Sequence, residues 1–327
     1  MGGWWDGAGE AVGFRLVHRL EISDLITAVD PHTGDRLPVR RDEVIRRLRA
    51  NGDEHAAKIV AGLPTDQDGV LDPRAVDRLL ISVHTELQRL SEELRIGERL
   101  LHLLGPLFTA IRATGGQSGP YRLVDVGCGL GYLIRWLAAT NALGADVELV
   151  GVDLDAALVG EAEQLARAEG LDCRFVHGNA FDLPQAATVY VSTGVLHHFR
   201  GPALGEFFQA QAASPAQAFC HFDIAATRLA PIGAWIFHRA RMRHPLGRHD
   251  GVVSAERAHS DETLLSAAAA PGIRPLLYEP RGAANPFCTT LRPIIGVRPH
   301  LEAPLRRALG RAERRLVGPE HLAEAAR

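Results

Sequence analysis

One acid and three glycines alternate in "LVDVGCGLGYL": Asp125, Gly127, Gly129 and Gly131. Glycine has no Cβ and tolerates positive φ, so such a run lets backbone approach a ligand closely at a helix start. The dinucleotide fingerprint is G-x-G-x-x-G, its third glycine allowing close helix–strand packing. Tyr132 stands in that place here. A carboxylate at Asp125 would also repel a diphosphate and would suit a cationic ligand. Further on, His197 and His198 offer imidazoles that titrate near neutrality, and Asp223 offers an acid.

The elements that must position these groups are legible in outline. Leu123–Val126 is a short β-branched run bounded by turn residues, a buried strand, and Tyr132–Ala139 suits a helix. "VELVGVDLD" reads as a second strand ending in Asp153, with Asp155 as N-cap of a helix over 156–168. "CRFVHGNAFDLP" supplies a third strand and a polar turn, and "TVYVSTGVLHHF" a fourth. "CHFDIAA" places His221 and Asp223 in a fifth, and "IRPLLYEP" with "CTTLRPIIGVRP" reads as a closing pair.

D-x-G-x-G-x-G after a strand resembles the first motif of the class I S-adenosylmethionine-dependent methyltransferases. The later segments fall in that family's order, and L-H-H after the fourth strand resembles its small-molecule branch. The resemblance covers 121–200 well and 217–299 in outline. It implies a Rossmann-like α/β fold, a parallel sheet with one antiparallel strand, with S-adenosyl-L-methionine as methyl donor. It further implies a donor site at Asp125, Gly127, Gly129 and Gly131, with Asp153 accepting from ribose hydroxyls and Leu154 covering one adenine face. Asn179 and Ala180 stand where members often read G-D-A, so an asparagine carbonyl replaces the acid facing the adenine amino group. Phe181 is a candidate for stacking there or for the core. Ser192 and Thr193 would line the donor pocket through backbone or hydroxyl. His197, His198 and Asp223 are the candidate catalytic groups on the acceptor side; the two histidines can equally serve as caps bonded to nearby backbone.

The chain has 327 residues, 46% hydrophobic, with net charge −3. It can bury a sizeable core, and no global basic excess marks a nucleic-acid partner. The four cysteines, Cys128, Cys173, Cys220 and Cys288, lack metal-type spacing and read as reduced small hydrophobes. No run is long enough to span a membrane and the first residues lack a signal-type apolar stretch, so a cytoplasmic location is expected.

Residues 1–118 have helical spacing and read as an accessory, acceptor-binding region, with Trp4 and Trp5 as anchors; 119–300 reads as the donor-binding domain, and 301–327 as a charged helical tail. The segment 228–262 is long and histidine-rich, a lid or acceptor-binding insertion whose spacing matches no ligand template, so no metal is expected. The expected partner is a small-molecule acceptor. Methylation of RNA or protein, or donor binding without turnover, are the alternatives.

Overall fold

The computed structural model describes residues 19–30, 35–115, 120–183, 186–279 and 291–320. Trp4, Trp5, Cys288 and most of the segment between 114 and 120 lie outside the described residues.

The helical spacing ahead of residue 118 takes the form of α1 (Ile22–Ile26), α2 (Arg41–Ala50), α3 (Glu54–Ala61), α4 (Pro73–Glu93) and α5 (Ile96–Thr114). A two-residue pair, β1 (Ala28–Val29) and β2 (Arg36–Leu37), separates the first two helices. Sequence punctuation sets the ends: Asp53 and Asp72 cap α3 and α4 through their carboxylates, and Pro73 sits at the first helical position.

The sheet comprises β3 (Tyr121–Val126), β4 (Val147–Asp153), β5 (Arg174–His177), β6 (Val189–Thr193), β7 (Ala218–Ile224), β8 (Arg274–Tyr278), β9 (Leu291–Val297) and β10 (Leu316–Val317). Their order is β10-β8-β9-β7-β6-β3-β4-β5. The five strands β3 to β7 are mutually parallel, and β9 runs antiparallel to both β7 and β8. A second antiparallel strand, β10, pairs with β8 at the sheet edge, where one antiparallel strand was expected. Intervening helices are α6 (Tyr132–Thr140), α7 (Ala156–Glu169) and α8 (Pro202–Ala213), followed by α9 (Ala230–Arg241), α10 (Pro245–Glu256), α11 (Asp261–Ala267) and α12 (Pro299–Leu309). Asp155 caps α7 as read from sequence, accepting from the N–H groups of Ala157 and Leu158 at 2.9 and 3.1 Å.

Strand order reverses at β3, which pairs with β4 on one side and β6 on the other, so a crevice opens at the carboxyl ends of these strands. Two features bear on that crevice. First, α5 and α12 pack together, and their Leu100, Leu104, Phe108, Leu301 and Leu305 belong to the same apolar core as the sheet. Each fully buried leucine contributes about 2 kcal/mol. The expected tail is therefore built into the sheet's flank and edge. Second, Ile22, Leu48, Val60, Leu80 and Val83 share a core with Leu130 of the glycine turn, Leu158 of α7, and Met242 and Leu246 of the 228–262 segment. The N-terminal helices thus pack on the glycine turn and the 228–262 segment at once. No helix among the described residues is long and apolar enough to cross a membrane.

Candidate active site

Gly127, Gly129 and Gly131 all have positive φ, at 71°, 55° and 71°. The loop is also crowded: an ideal Cβ on Gly127 would lie 2.6 Å from Val195, and one on Gly131 2.2 Å from the Phe175 ring. Gly127 and Cys128 donate N–H to the Val152 carbonyl, which lays the turn across the end of β4. Gly129 donates to Asp153 Oδ2 at 2.7 Å, and Asp155 donates to Asp153 Oδ1 at 2.9 Å. Both oxygens of Asp153 are thereby fixed, and each keeps a lone pair for a further donor.

Asp125 is 3% exposed, and its Oδ1 has no hydrogen-bond partner among the described residues. Burial, with the neighbouring Asp153 charge, pushes its proton affinity well up; burial also raises Asp153. A buried, orphaned carboxyl beside a partly buried one fits a ligand that brings an ammonium and a sulfonium to this loop.

The remaining donor-side residues are less uniform. Leu154 is 40% exposed at the rim. The Asn179 side-chain carbonyl accepts from Phe181 N at 3.0 Å and keeps one lone pair. Ala180 and Phe181 are partly buried against the core, Phe181 meeting Phe199 edge-on at 5.1 Å between centroids. Of the backbone or hydroxyl expected to line the pocket at Ser192, the hydroxyl is turned away from it. Ser192 is fully buried and bonds His221 Nδ1 at 2.8 Å, while His221 Nε2 meets Gln211 at 2.8 Å. Strand alternation turns Ser192 into the core, and burial pushes His221 down to about 3, so that imidazole is neutral and structural. Thr193 Oγ1 is buried with no partner among the described residues, which leaves it available to a ligand.

Across the crevice, the structure brings His197, His198 and Asp223 together. Leu196–His198 form a 3₁₀ turn beyond β6, and Asp223 ends β7 beside it. Asp223 accepts from His197 twice, Oδ2 from the backbone N–H and Oδ1 from Nδ1–H, both at 2.8 Å. Burial would raise Asp223, but His197 outweighs it and holds the carboxyl below its ordinary value. His197 is 4% exposed, and its Nε2 points to Glu21 at 3.7 Å, beyond hydrogen-bond reach.

His198 has a different task. Its Nδ1 lies 3.0 Å from Asp24 and 3.3 Å from Glu21. Burial alone would lower His198, yet these two acids push it up to about 10, so it is a fixed cation at neutral pH. Arg257 completes the cluster, 2.9 Å from Asp24, 3.3 Å from Glu21 and 3.2 Å from the His198 carbonyl. Ligand atoms of Glu21, His197 and His198 lie within 4.8 Å of one another. The Arg257 and His198 charges already neutralise these carboxylates, so the set is a salt-bridge cluster in its own right.

Glu21, Asp24 and Arg257 carry no motif; only folding joins them to the histidines. The histidines of 228–262 are likewise dispersed. His249 is fully buried between Asp250 and Asp53, at 2.7 and 2.8 Å, and Asp250 accepts from the N–H groups of Ile22 and Ser23 at 2.8 and 2.9 Å. His259 bonds the carbonyls of Leu196 and Phe199, both at 3.0 Å, and so braces the 196–198 turn.

Residues 123–214 match a family model described as a methyltransferase domain. Among solved structures, the chain is similar to a SAM-dependent methyltransferase from Aquifex aeolicus at 15% identity (TM-score 0.38, covering 58% of this chain and 90% of that one). It is similar to magnesium protoporphyrin IX methyltransferase from Synechocystis PCC 6803 with bound SAH at 18% identity (TM-score 0.40, 79% and 99%). It is also similar to the plantazolicin methyltransferase BpumL in complex with a desmethyl analogue and SAH at 12% identity (TM-score 0.46, 68% and 95%). A search of curated proteins returns no match. Residues 123–214 thus carry a methyltransferase domain, and the glycine turn and sheet order around it fit the class I S-adenosylmethionine-dependent type. The protein is an enzyme of Rossmann-like α/β fold whose cofactor is S-adenosylmethionine.

Proposed function

We propose that the enzyme methylates a small-molecule acceptor whose nucleophile must lose a proton, such as a phenol, an alcohol or an acidic carbon. The observation that carries this reading is His197, with Nδ1 anchored on Asp223 and Nε2 3.7 Å from Glu21, without a hydrogen bond among the described residues, at the carboxyl ends of β6 and β7. Bound S-adenosylmethionine supplies a methyl group on a sulfonium, already activated for in-line displacement. The protein's work is then binding, alignment, exclusion of water and custody of one proton.

On the donor side, Asp125 takes the ammonium, the glycine turn admits the backbone approach, and Asp153 accepts from the ribose hydroxyls. Leu154, Asn179, Ala180, Phe181 and Thr193 surround the remainder. On the acceptor side, His197 Nε2 receives the acceptor's proton. Asp223 fixes the tautomer and stabilises the imidazolium that results. His198, held as a cation by Asp24 and Glu21, sets the electrostatics rather than taking the proton. The N-terminal helices with 228–262 form the acceptor-recognising body over the domain of 119–300, and loops and appended helices on a rigid sheet are the usual place for such specificity.

Calorimetric titration with S-adenosylhomocysteine, for wild type and Asp153→Ala, tests the donor site. Micromolar binding that disappears in the variant is the expected result. A panel of phenols, alcohols and β-dicarbonyl compounds, assayed for S-adenosylhomocysteine release, then tests the acceptor class. Full turnover by His197→Gln would remove this residue as the base.

A further inference from the structure

His84 belongs to no motif and falls within the region read as acceptor-binding. It lies in the middle of α4, one turn after the buried Leu80 and one turn before Gln88, whose carbonyl accepts from the buried Arg135 of α6. Leu80, His84 and Gln88 are spaced i, i+4, i+8 and form one stripe. That stripe rests on the nucleotide-binding half of the molecule. On another side, α4 meets the insertion through Ser82 and Glu86: Ser82 Oγ lies 2.7 Å from His244 Nε2, and Glu86 accepts from Arg243 N at 2.9 Å. The helix is a strut between the two.

The imidazole lies directly on the glycine turn. An ideal Cβ on Gly129 would stand 2.7 Å from His84 Nδ1 and 3.1 Å from its Cε1, so the ring occupies the space that any other residue at 129 would fill. Gly129 is also the residue whose N–H holds Asp153. Among the described residues, neither ring nitrogen of His84 has a hydrogen-bond partner, although the side chain is half-buried. Burial lowers its proton affinity and the charge of His198 does so too, against the pull of Asp153 and Asp155. The ring thus feels the charges of both Asp153 and His198. A neutral imidazole offers one donor and one acceptor, the complement of a hydroxyl. An imidazole held against the glycine turn with both nitrogens open has a donor and an acceptor to offer a ligand there.

We propose that His84 completes the donor site from the accessory region, hydrogen-bonding a ribose hydroxyl of S-adenosylmethionine from the side opposite Asp153. The inference rests on the donor-site reading given above. It makes α4 part of the cofactor pocket, so donor binding fastens the accessory helices to the sheet.

Calorimetry with two ligands tests it: S-adenosylhomocysteine, and 5′-methylthioadenosine, which keeps the ribose and lacks the amino-acid end. His84→Ala is expected to weaken both about ten-fold, the loss of one hydrogen bond in a partly dry site. His84→Gln, whose amide can still donate and accept, should recover part of that loss, and Leu87→Ala on the exposed side of α4 should change neither affinity. Unchanged binding of both ligands by His84→Ala overturns the proposal. A loss confined to S-adenosylhomocysteine overturns the ribose assignment in favour of the amino-acid end. If His84→Ala lowers Tm, His84→Gln alone decides, by a partial loss for both ligands or none. Failure of the donor-site reading shows separately, as no binding of either ligand by wild type.

Discussion

The two sides of the crevice are made of different materials. On the donor side, backbone does most of the work: three glycines at positive φ, N–H groups on Val152 and Asp153, and a single orphaned acid. On the acceptor side, side chains from four distant stretches interlock, namely Glu21 and Asp24, the 197–198 pair, Asp223 and Arg257. A backbone cradle is local in sequence and tolerates little change in shape. The side-chain cluster depends on tertiary folding and can be altered one charge at a time.

That contrast can be broken from either side. The largest effect is expected at His197: replacement by Ala lowers kcat on the acceptor about 10²- to 10⁴-fold, while calorimetric affinity for S-adenosylhomocysteine stays at the wild-type value. A fall in both together would mean that the halves are not separable. Next, Gly131→Ala presses a Cβ to 2.2 Å from the Phe175 ring at a φ of 71°. Urea unfolding should show a loss of about 2–4 kcal/mol, and Phe175→Leu in the same chain should return part of it. Third, Asp153→Asn keeps the shape and removes the charge, so S-adenosylhomocysteine should bind about 30-fold more weakly in calorimetry with Tm little altered.

The smallest effect concerns the joint between N-terminal helices and insertion. Burial would lower His249, but Asp250 and Asp53 raise it above its ordinary value of 6.5. Burial would raise Asp53, but the Ala56 N–H, His249 and Arg19 lower it to about 2. A raised histidine gives stability that is complete below its unfolded value and lost as pH climbs through the folded one; a depressed aspartate gives stability lost as pH falls towards its folded value. The joint should therefore be tightest between roughly pH 4 and 6.5. Above that range, scanning calorimetry should show Tm declining by a few degrees in wild type, and the decline should be shallower in His249→Gln.

The glycine turn and the strands and helices around it were legible in the sequence almost whole. Alternating glycines, strand-end acids and the Asp155 cap are short-range features, and each fell where the spacing put it. Ser192 did not, because its direction depends on strand parity at the β6 end, and a shift of one residue decides between pocket and core. Adjacency on the chain also hid that His197 and His198 bond different acids, Asp223 for one and Asp24 for the other. Glu21, His84 and Arg257 were illegible for a simpler reason. Their partners lie far along the chain, and an acid or a histidine in a helical stretch reads as a surface residue until the fold supplies its neighbour. The same holds for β10, whose two residues have no pattern of their own and become a strand because β8 presents an edge.

The clasp on α1 has a consequence for biosynthesis. Its first turn is held by Asp250 and its acids by His198 and Arg257, all more than 170 positions further along the chain. A nascent chain therefore carries Glu21 and Asp24 out of the ribosome long before anything exists to receive them. Loop closure over that separation comes late, after the sheet and the insertion have formed. Glu21 and Asp24 are thus made well before the residues that hold them, and their cluster can close only once Arg257 has been added.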